Sequence, residues 1–494
     1  MRSATPKVLH ELGGRSLLGH AMVAARSLDP EHLVVVVRHE RDRVAAHVAQ
    51  VDPRAIVAGQ DEVKGTGRAV ECGLAVLPDD LRGTVVVTYG DVPLLAPATL
   101  HSLLAEHEAA RTSVTVLVAG VADPTGYGRV VRDGNGDVVA IVEHKDADAR
   151  QREICEINSG IYAFDAGILR QALTEIGTDN AQAEKYLTDV LSMARQAGGH
   201  VRAAVTDDVW QVEGVNDRVQ LAALGAELNR RTVREWMVRG VTVVDPATTW
   251  LDVGVELAPD VTVLPGVQLH GRTRVASGAR IGPDCTLTDC EIGEGCEVIR
   301  THGLGARLRP RAAAGPFTFL RPGTDLGEDG RIGGFCETKN AVIGAQTKVP
   351  HLSYVGDAVI GSDTNIGAAT IFVNYDGVDK HRTAVGDHVR IGSDTMLVAP
   401  VTVGAGAYTA AGSVITDDVP PGAMAVARGR QHNAEGWVAR RRAGTASALA
   451  AQQAAGGAVG EALGGTIGEA VGMAEPPAGH TRERPGAPSE GAAQ

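Results

Sequence analysis

Along the first 207 residues the apolar positions come in short unbroken runs, Leu33–Val37, Val85–Thr88 and Val114–Val118. Runs of that length without polar alternation belong to strands covered on both faces. Between them Gly67–Leu77 and Ala98–Ala110 have helical spacing. Strand–helix alternation predicts an α/β doubly wound domain with a mostly parallel sheet, whose ligands sit beyond the carboxyl ends of the strands. Over 217–237, Leu221, Leu224 and Leu228 share one helical face, which predicts a bridging helix that acts as a spacer.

The period then changes. Val263, Leu269, Val275, Ile281 and Leu287 recur every six residues. Ile343, Val349 and Val355 repeat the step, as do Ile360, Ile366 and Phe372 after a slip, and then Val385, Ile391, Leu397 and Val403. Glycine follows many of these positions, as at Ile281-Gly282, Ile366-Gly367 and Ile391-Gly392. Neither a helix nor an ordinary strand gives a six-residue step. A three-sided left-handed parallel β-helix does, with the aliphatic residue pointing inward and a small residue accommodating the corner. The segments expected are therefore an α/β doubly wound domain over 1–211, a linker helix over 212–240, a hexapeptide-repeat β-helix over 241–442 and a disordered Ala/Gly/Pro-rich tail over 443–494.

Composition narrows the classes. A net charge of -13 excludes a surface built to follow nucleic-acid phosphates. Aromatics at 3 % beside 61 glycines suit repeated tight turns around small aliphatic cores. The six cysteines show neither CxxC pairing nor zinc spacing, so they read as reduced thiols of a cytoplasmic protein. No apolar run approaches the roughly 20 residues that span a bilayer, and no signal peptide is evident.

Chemistry concentrates where the repeat is interrupted: Phe317–Gly323, Glu337–Asn340, Lys348–Asp357 and Phe372–Gly377. With His-Leu-Ser-Tyr-Val-Gly-Asp and Phe-Val-Asn-Tyr-Asp-Gly, residues 241–437 resemble the C-terminal half of the bifunctional N-acetylglucosamine-1-phosphate uridyltransferase/glucosamine-1-phosphate acetyltransferase family. The resemblance implies acetyl transfer from acetyl-CoA to glucosamine 1-phosphate, with His351 as the base that accepts the amine proton. It implies that Arg321, Lys339, Tyr354 and Asn365 bind the sugar phosphate. Ala368, Asn374, Tyr375, Ser393, Ala411 and Arg428 match the positions that bind acetyl-CoA. Glu337 is expected to orient the imidazole. The Asn374 loop fits no repeat step and is expected to leave the prism. Members of the family trimerise, with sites formed between neighbouring prisms. Thr338 stands where an aliphatic residue is usual, and the repeat reads as eroded over 308–314.

The first region is similar to the sugar-nucleotide pyrophosphorylase half of the same family. Pro6-Lys7-Val8-Leu9, Gln60 with Gly65-Thr66, Thr88–Leu94, Gly126–Val130, Ile141–Glu143, Asn158–Gly160 and Gly214–Asn216 follow in family order. The resemblance implies transfer of UMP from UTP to N-acetylglucosamine 1-phosphate, with Mg²⁺ held by Asp91 and Asn216. Nucleotide and sugar would be bound by Lys7, Gln60, Gly65, Thr66, Tyr89, Asp91, Gly128, Glu143, Asn158 and Asn216. The substrate oxygen is already anionic, so charge neutralisation and alignment suffice without a protein base. Family members open with a strand and a Leu-Ala-Ala-Gly-x-Gly-Thr-Arg-Met loop that cradles the triphosphate, and this chain starts at that Met. The expectation is a start codon placed too late. Were Met1 the native start, uridylyl transfer would be negligible, leaving an acetyltransferase with a scaffold-only first domain. Rival readings are an ADP-glucose or GDP-mannose type pyrophosphorylase with a regulatory solenoid, and a non-catalytic solenoid scaffold. A zinc hydratase would need three convergent histidines, which His302, His351, His381 and His388 do not supply.

Overall fold

The computed structural model describes residues 1–456. Residues 1–427 form one compact unit and the described residues from 428 onward belong to a second, so the expected seam at 442 falls within the second. That unit contains short helix Trp437–Arg441 and helix Ala446–Gly456, with the Arg442 guanidinium over the Trp437 ring. The stretch read as a disordered tail is thus helical over 446–456. Ser-Ala-Leu-Ala-Ala-Gln-Gln-Ala-Ala is rich in the strongest helix former, and summed propensity outweighs the lack of apolar bulk. The rest of the expected tail, 457–494, lies outside the described residues.

Besides the short antiparallel hairpin Glu11–Leu12/Arg15–Ser16, the first domain holds eight strands in two sheets: β1 (Val34–Val37), β2 (Ile56–Gly59), β3 (Thr84–Val87), β4 (Val114–Gly120), β5 (Arg129–Arg132), β6 (Val138–Val142), β7 (Glu156–Asp165) and β8 (Val201–Thr206). β1 pairs with β2 alone, in parallel. The larger sheet is mixed rather than mostly parallel. β8 runs parallel to β4, but the long strand β7 lies antiparallel between β4 and β3 and also meets β5. Hairpin β5–β6, turning through Gly134 and Gly136, is antiparallel too. Periodicity alone does not report strand direction, because a strand buried on both faces reads the same either way.

β1 and β3 share covering layers without pairing. Met22 and Leu18 cluster with Val35 and Val37, and Ala24 and Leu28 with Val86. On the other face Gly73 lies against Val34 and Val36, while Val70 and Leu74 cluster with Val85 and Val87. The valines of both strands, Val37 excepted, are only half-buried.

Helix Arg218–Val238 follows, capped by the Asp217 carboxylate, which accepts from Val219 N and Gln220 N. It is more than a spacer. Leu221, Leu224 and Leu228 pack with Leu12, Leu17, Leu94 and Val215 of the first domain. At its far end Val233 and Trp236 join the β-helix core. The buried Asn229 amide donates to Thr249 O (2.7 Å) and accepts from Leu251 N (2.9 Å), which fixes the first coil on the helix.

From Thr242 the chain winds as a left-handed parallel β-helix. An eleven-strand sheet makes one wall, and a seventeen-strand sheet forms the other two. Every inward position assigned from the six-residue step, from Val263 to Val403, lies in one continuous core. The segment that reads as eroded is a complete coil. Arg307–Leu308 and Ala313–Ala314 pair in register with their neighbours, and Leu308, Ala312 and Ala314 fill the interior with smaller groups. Thr338 is fully buried and meets the Thr324 hydroxyl at 2.9 Å, so its polar atom is satisfied inside the prism.

Buried hydroxyls also serve the corners. Ser353 Oγ accepts from Thr370 N, Thr347 Oγ1 from Thr364 N, and Thr364 Oγ1 from Val389 N. Each supplies an acceptor where the turn takes a main-chain N–H out of the ladder. Phe372 is the largest fully buried side chain of this core. Truncation at Phe372→Ala is expected to cost about 3–5 kcal/mol, read as a lowered denaturation midpoint. A loss under about 1 kcal/mol would contradict the packing described.

Candidate active sites

The in-register stacking of coils decides the geometry of the first site. Gly334 lies beside His351, Lys348 beside Asn365, Ile366 beside Ile391 and Arg390 beside Tyr408. Carrying each register to the corner puts His351, Ala368, Ser393 and Ala411 in one column on four successive coils, spaced by about 4.8 Å per coil. The hydrogen bonds agree: His351 O accepts from Ala369 N (3.2 Å), Ala368 O from Asp394 N (2.7 Å) and Ser393 O from Gly412 N (2.9 Å). A Cβ on Gly367 would approach Ser393 N within 2.5 Å, and one on Gly392 would come equally near Ala411 N. Glycine is therefore required beside the column.

Around the corner from His351, a second column runs Phe319, Glu337, Tyr354 and Ile371. Glu337 does not orient the imidazole. Its carboxylate pairs with Arg321 at 2.8 Å, and among the described residues no side chain hydrogen-bonds to the His351 ring. The strand carries Glu337 onto the wall facing Arg321, one corner away from His351. Lys339 projects beside Lys380, and contact with Lys380, together with repulsion from Lys380 and Arg321, holds its ammonium below the ordinary lysine value.

Lys380 is a residue the sequence reading missed. It lies in the loop that leaves the prism, where Tyr375 bridges back to Lys380 and the wall resumes at Thr383. The signal available was a lysine within the same off-repeat segment as Asn374. Asp357 sits among these cations. Burial raises its pKa, but hydrogen bonds from Asn340 and Asn374, together with attraction from Lys339 and Lys380, leave it below the usual carboxylate range. Asn374 also reaches the Tyr354 hydroxyl at 3.4 Å, which links the loop to the second column. Arg428 belongs to the second compact unit.

Beside this site a ridge of apolar corner residues faces outward. Phe317, Phe335 and Leu352 all have left-handed backbone angles and are 54 %, 64 % and 58 % exposed. The two phenyl rings stack at 5.3 Å, and Arg300 lies over Phe317. Together with Phe319, Glu337 and Tyr354 the ridge lines an open groove of about 670 Å³.

In the first domain the predicted residues gather into three adjoining groups. Lys7 Nζ lies 2.5 Å from Asp91 Oδ2 and 3.3 Å from Asn216 Oδ1. Val215 N donates to Asp91 O (3.0 Å), which ties the two segments together. In the second group the Tyr89 ring lies directly over Gly160, whose φ of +76° and missing side chain leave room for it. Asn158 Oδ1 accepts from Gly160 N and the Tyr162 hydroxyl, both at 2.9 Å. A Cβ on Gly128 would be 3.4 Å from both Glu143 Oε1 and Asn158 Cβ. Burial, with nearby Asp91 and Glu143, pushes the Tyr89 phenol up to about 12. In the third group the Gln60 amide donates to Val63 O and Gly65 O, at 3.0 and 3.2 Å. Gly65, with φ +113°, meets Lys185, and Thr66 Oγ1 accepts from Leu187 N.

An α/β domain of the nucleotidyltransferase class, carrying a β-helix with one histidine column and a cluster of cations, is what the fold and these sites define. Residues 2–256 match the nucleotidyl transferase family. The bifunctional protein GlmU of Kineococcus radiotolerans is 63 % identical over 454 residues, 92 % of this chain and 92 % of the relative. Those of Pseudarthrobacter chlorophenolicus and Mycolicibacterium gilvum are 62 % and 58 % identical, each over 456 residues and 92 % of this chain, with 93 % and 92 % of the relative covered. The chain belongs to the family of bifunctional GlmU proteins.

Glu143 gives this site a pH signature. Burial, then the nearby carboxylates of Asp146, Asp189 and Glu184, raise its pKa. A carboxyl with a folded pKa above its unfolded value binds its proton more tightly when folded. Its stabilisation is complete below the ordinary value of 4.5 and is lost as pH rises through the raised folded value. Above that raised value the ionised Glu143 therefore opposes folding. Glu143→Gln is expected to melt higher than wild type at pH 7.5, with the difference vanishing toward pH 4 in differential scanning calorimetry. An unchanged or lower melting temperature at pH 7.5 would contradict this.

Proposed function

We propose that the β-helix transfers acetyl from acetyl-CoA to the amine of glucosamine 1-phosphate, and that the first domain transfers UMP from UTP to the resulting N-acetylglucosamine 1-phosphate. The observation that carries the reading is the corner column of His351, Ala368, Ser393 and Ala411 beside the cations Arg321, Lys339 and Lys380. A phosphate needs fixed positive charge, and these cations are more numerous than the neighbouring carboxylates Glu337 and Asp357. Tyr354 and Asn365 are assigned to the sugar. His351 takes the proton from the amine as its nitrogen attacks the thioester carbonyl, and the C–S bond then breaks to release the coenzyme thiol. Ala368 and Ala411 leave space for pantetheine along the column. Asn374, Tyr375 and Ser393 complete the acetyl-CoA contacts within the β-helix.

In the first domain, Gln60, Gly65 and Thr66 are assigned to the base and Tyr89, Gly128, Glu143 and Asn158 to the sugar. Lys7 is assigned to the phosphates. Asp91 and Asn216 suit Mg²⁺: one carboxylate and one amide oxygen converge on a single cation, here the Lys7 ammonium. Mg²⁺ typically takes one or two protein oxygens and completes its shell with water and substrate phosphate. When bound it would neutralise charge developing on the transferred phosphoryl group. The remaining work, alignment of the sugar phosphate with the α-phosphorus, falls to the groups just named.

The working form is a homotrimer. Phe317, Phe335 and Leu352 form an exposed apolar ridge directly beside His351, which suits a surface covered by a second copy so that sites complete each other across the seam.

Two outcomes test this. His351→Ala is expected to lower acetyl transfer by about 10²–10⁴-fold while leaving equilibrium binding of UDP-N-acetylglucosamine unchanged. Equal loss of both would count against separate sites. Phe335→Glu is expected to convert the trimer to monomers in sedimentation velocity and to abolish acetyl transfer. A trimer that survives the charge would remove the ridge from the interface.

A further inference from the structure

The Lys7 ammonium occupies the meeting point of Asp91 Oδ2 and Asn216 Oδ1, at 2.5 and 3.3 Å. It stands in the one-turn segment Lys7–Leu9 and is partly exposed, so its flexible stem is free to swing. Among the described residues no other side chain forms an ion pair with Asp91.

A divalent ion would need Asp91 Oδ2 at about 2.0–2.1 Å. An ammonium at hydrogen-bonding distance from the same oxygen would then lie within a few ångströms of a doubly charged ion, and the two would repel strongly. The two cations exclude one another.

We propose that Lys7 is an internal counterion of the metal site: it holds Asp91 and Asn216 until a divalent cation displaces it, and the displaced ammonium becomes a ligand of the nucleotide phosphates. The proposal rests on the reading of Asp91 and Asn216 as metal ligands. Its consequence is cooperative loading. A metal arriving alone must leave Lys7 without a partner, whereas a metal arriving with a nucleoside triphosphate gives Lys7 a new anion. Lys7 thus contributes positive coupling between metal and nucleotide, and coupling of this kind is reciprocal.

The experiment measures Mn²⁺ binding to the full chain by electron paramagnetic resonance of free Mn²⁺, with and without a non-hydrolysable UTP analogue. Lys7→Met, with Lys7→Gln as a second variant, is expected to tighten binding of Mn²⁺ alone by about five- to fiftyfold, within the usual range of site coupling. The same variants should lose most of the further tightening that the analogue brings. Lys7→Arg, which keeps the charge, should keep weak binding of the metal alone. Asp91→Asn should weaken Mn²⁺ in every background. If Asp91→Asn weakens binding but neither neutral Lys7 variant tightens it, the counterion role is overturned and the metal-site reading stands. If Asp91→Asn changes nothing, or the chain binds no Mn²⁺ at all, the metal-site reading falls and this proposal falls with it.

Discussion

Successive coils of the β-helix must hand each other their main-chain hydrogen bonds while burying one aliphatic side chain per face, and the acetyl-transfer site depends on that constraint. Because coils stack without slipping, a position in one coil fixes its neighbours in the next at strand spacing. Residues far apart in sequence, such as His351 and Ala411, therefore belong to a single straight column. The same rule puts Phe317, Phe335 and Leu352 on one ridge. The left-handed backbone at these corners turns each side chain outward, and that conformation is unusual for bulky residues. The strain is tolerated because the ladders on both sides of each corner over-determine its path.

This explains why so much of the second domain was legible. A six-residue step is a geometric statement, and inward positions from Val263 to Val403 follow from it without further information. What the step could not report is how polar atoms inside the prism are satisfied. Thr338 reads as an anomaly when only aliphatic residues are counted, yet it belongs to a set of internal hydroxyls that serve the corners. The alanines at 312 and 314 read as erosion because volume was judged residue by residue, whereas the ladder holds a coil of small groups in register. Lys380 escaped notice for another reason: loop residues obey no period, so only the bridge to Tyr375 reveals where the lysine lands.

The first domain was less legible because its strands are buried on both faces. Such strands announce their existence but not their direction, and β7 runs against the expectation of a mostly parallel sheet. Its candidate site residues nonetheless stand out in the sequence, since they sit on turns with demanding backbone geometry. Gly160 must accept the Tyr89 ring, and Gly65 must pass Lys185 with a positive φ. Turns of that kind leave sharper traces in sequence than sheet topology does.

The two proposed phosphate sites are electrostatically unlike. In the β-helix, Lys339 and Lys380 stand together with only Asp357 nearby, and the contact with Lys380 lowers the basicity of Lys339. The mutual repulsion is held in place by the wall and the loop, so an arriving phosphate relieves it. In the first domain Lys7 is already neutralised by Asp91, and the site is balanced before any ligand comes. An unpaired cluster attracts its anion directly. A paired one must exchange partners, which makes its affinity for one ligand conditional on the presence of another.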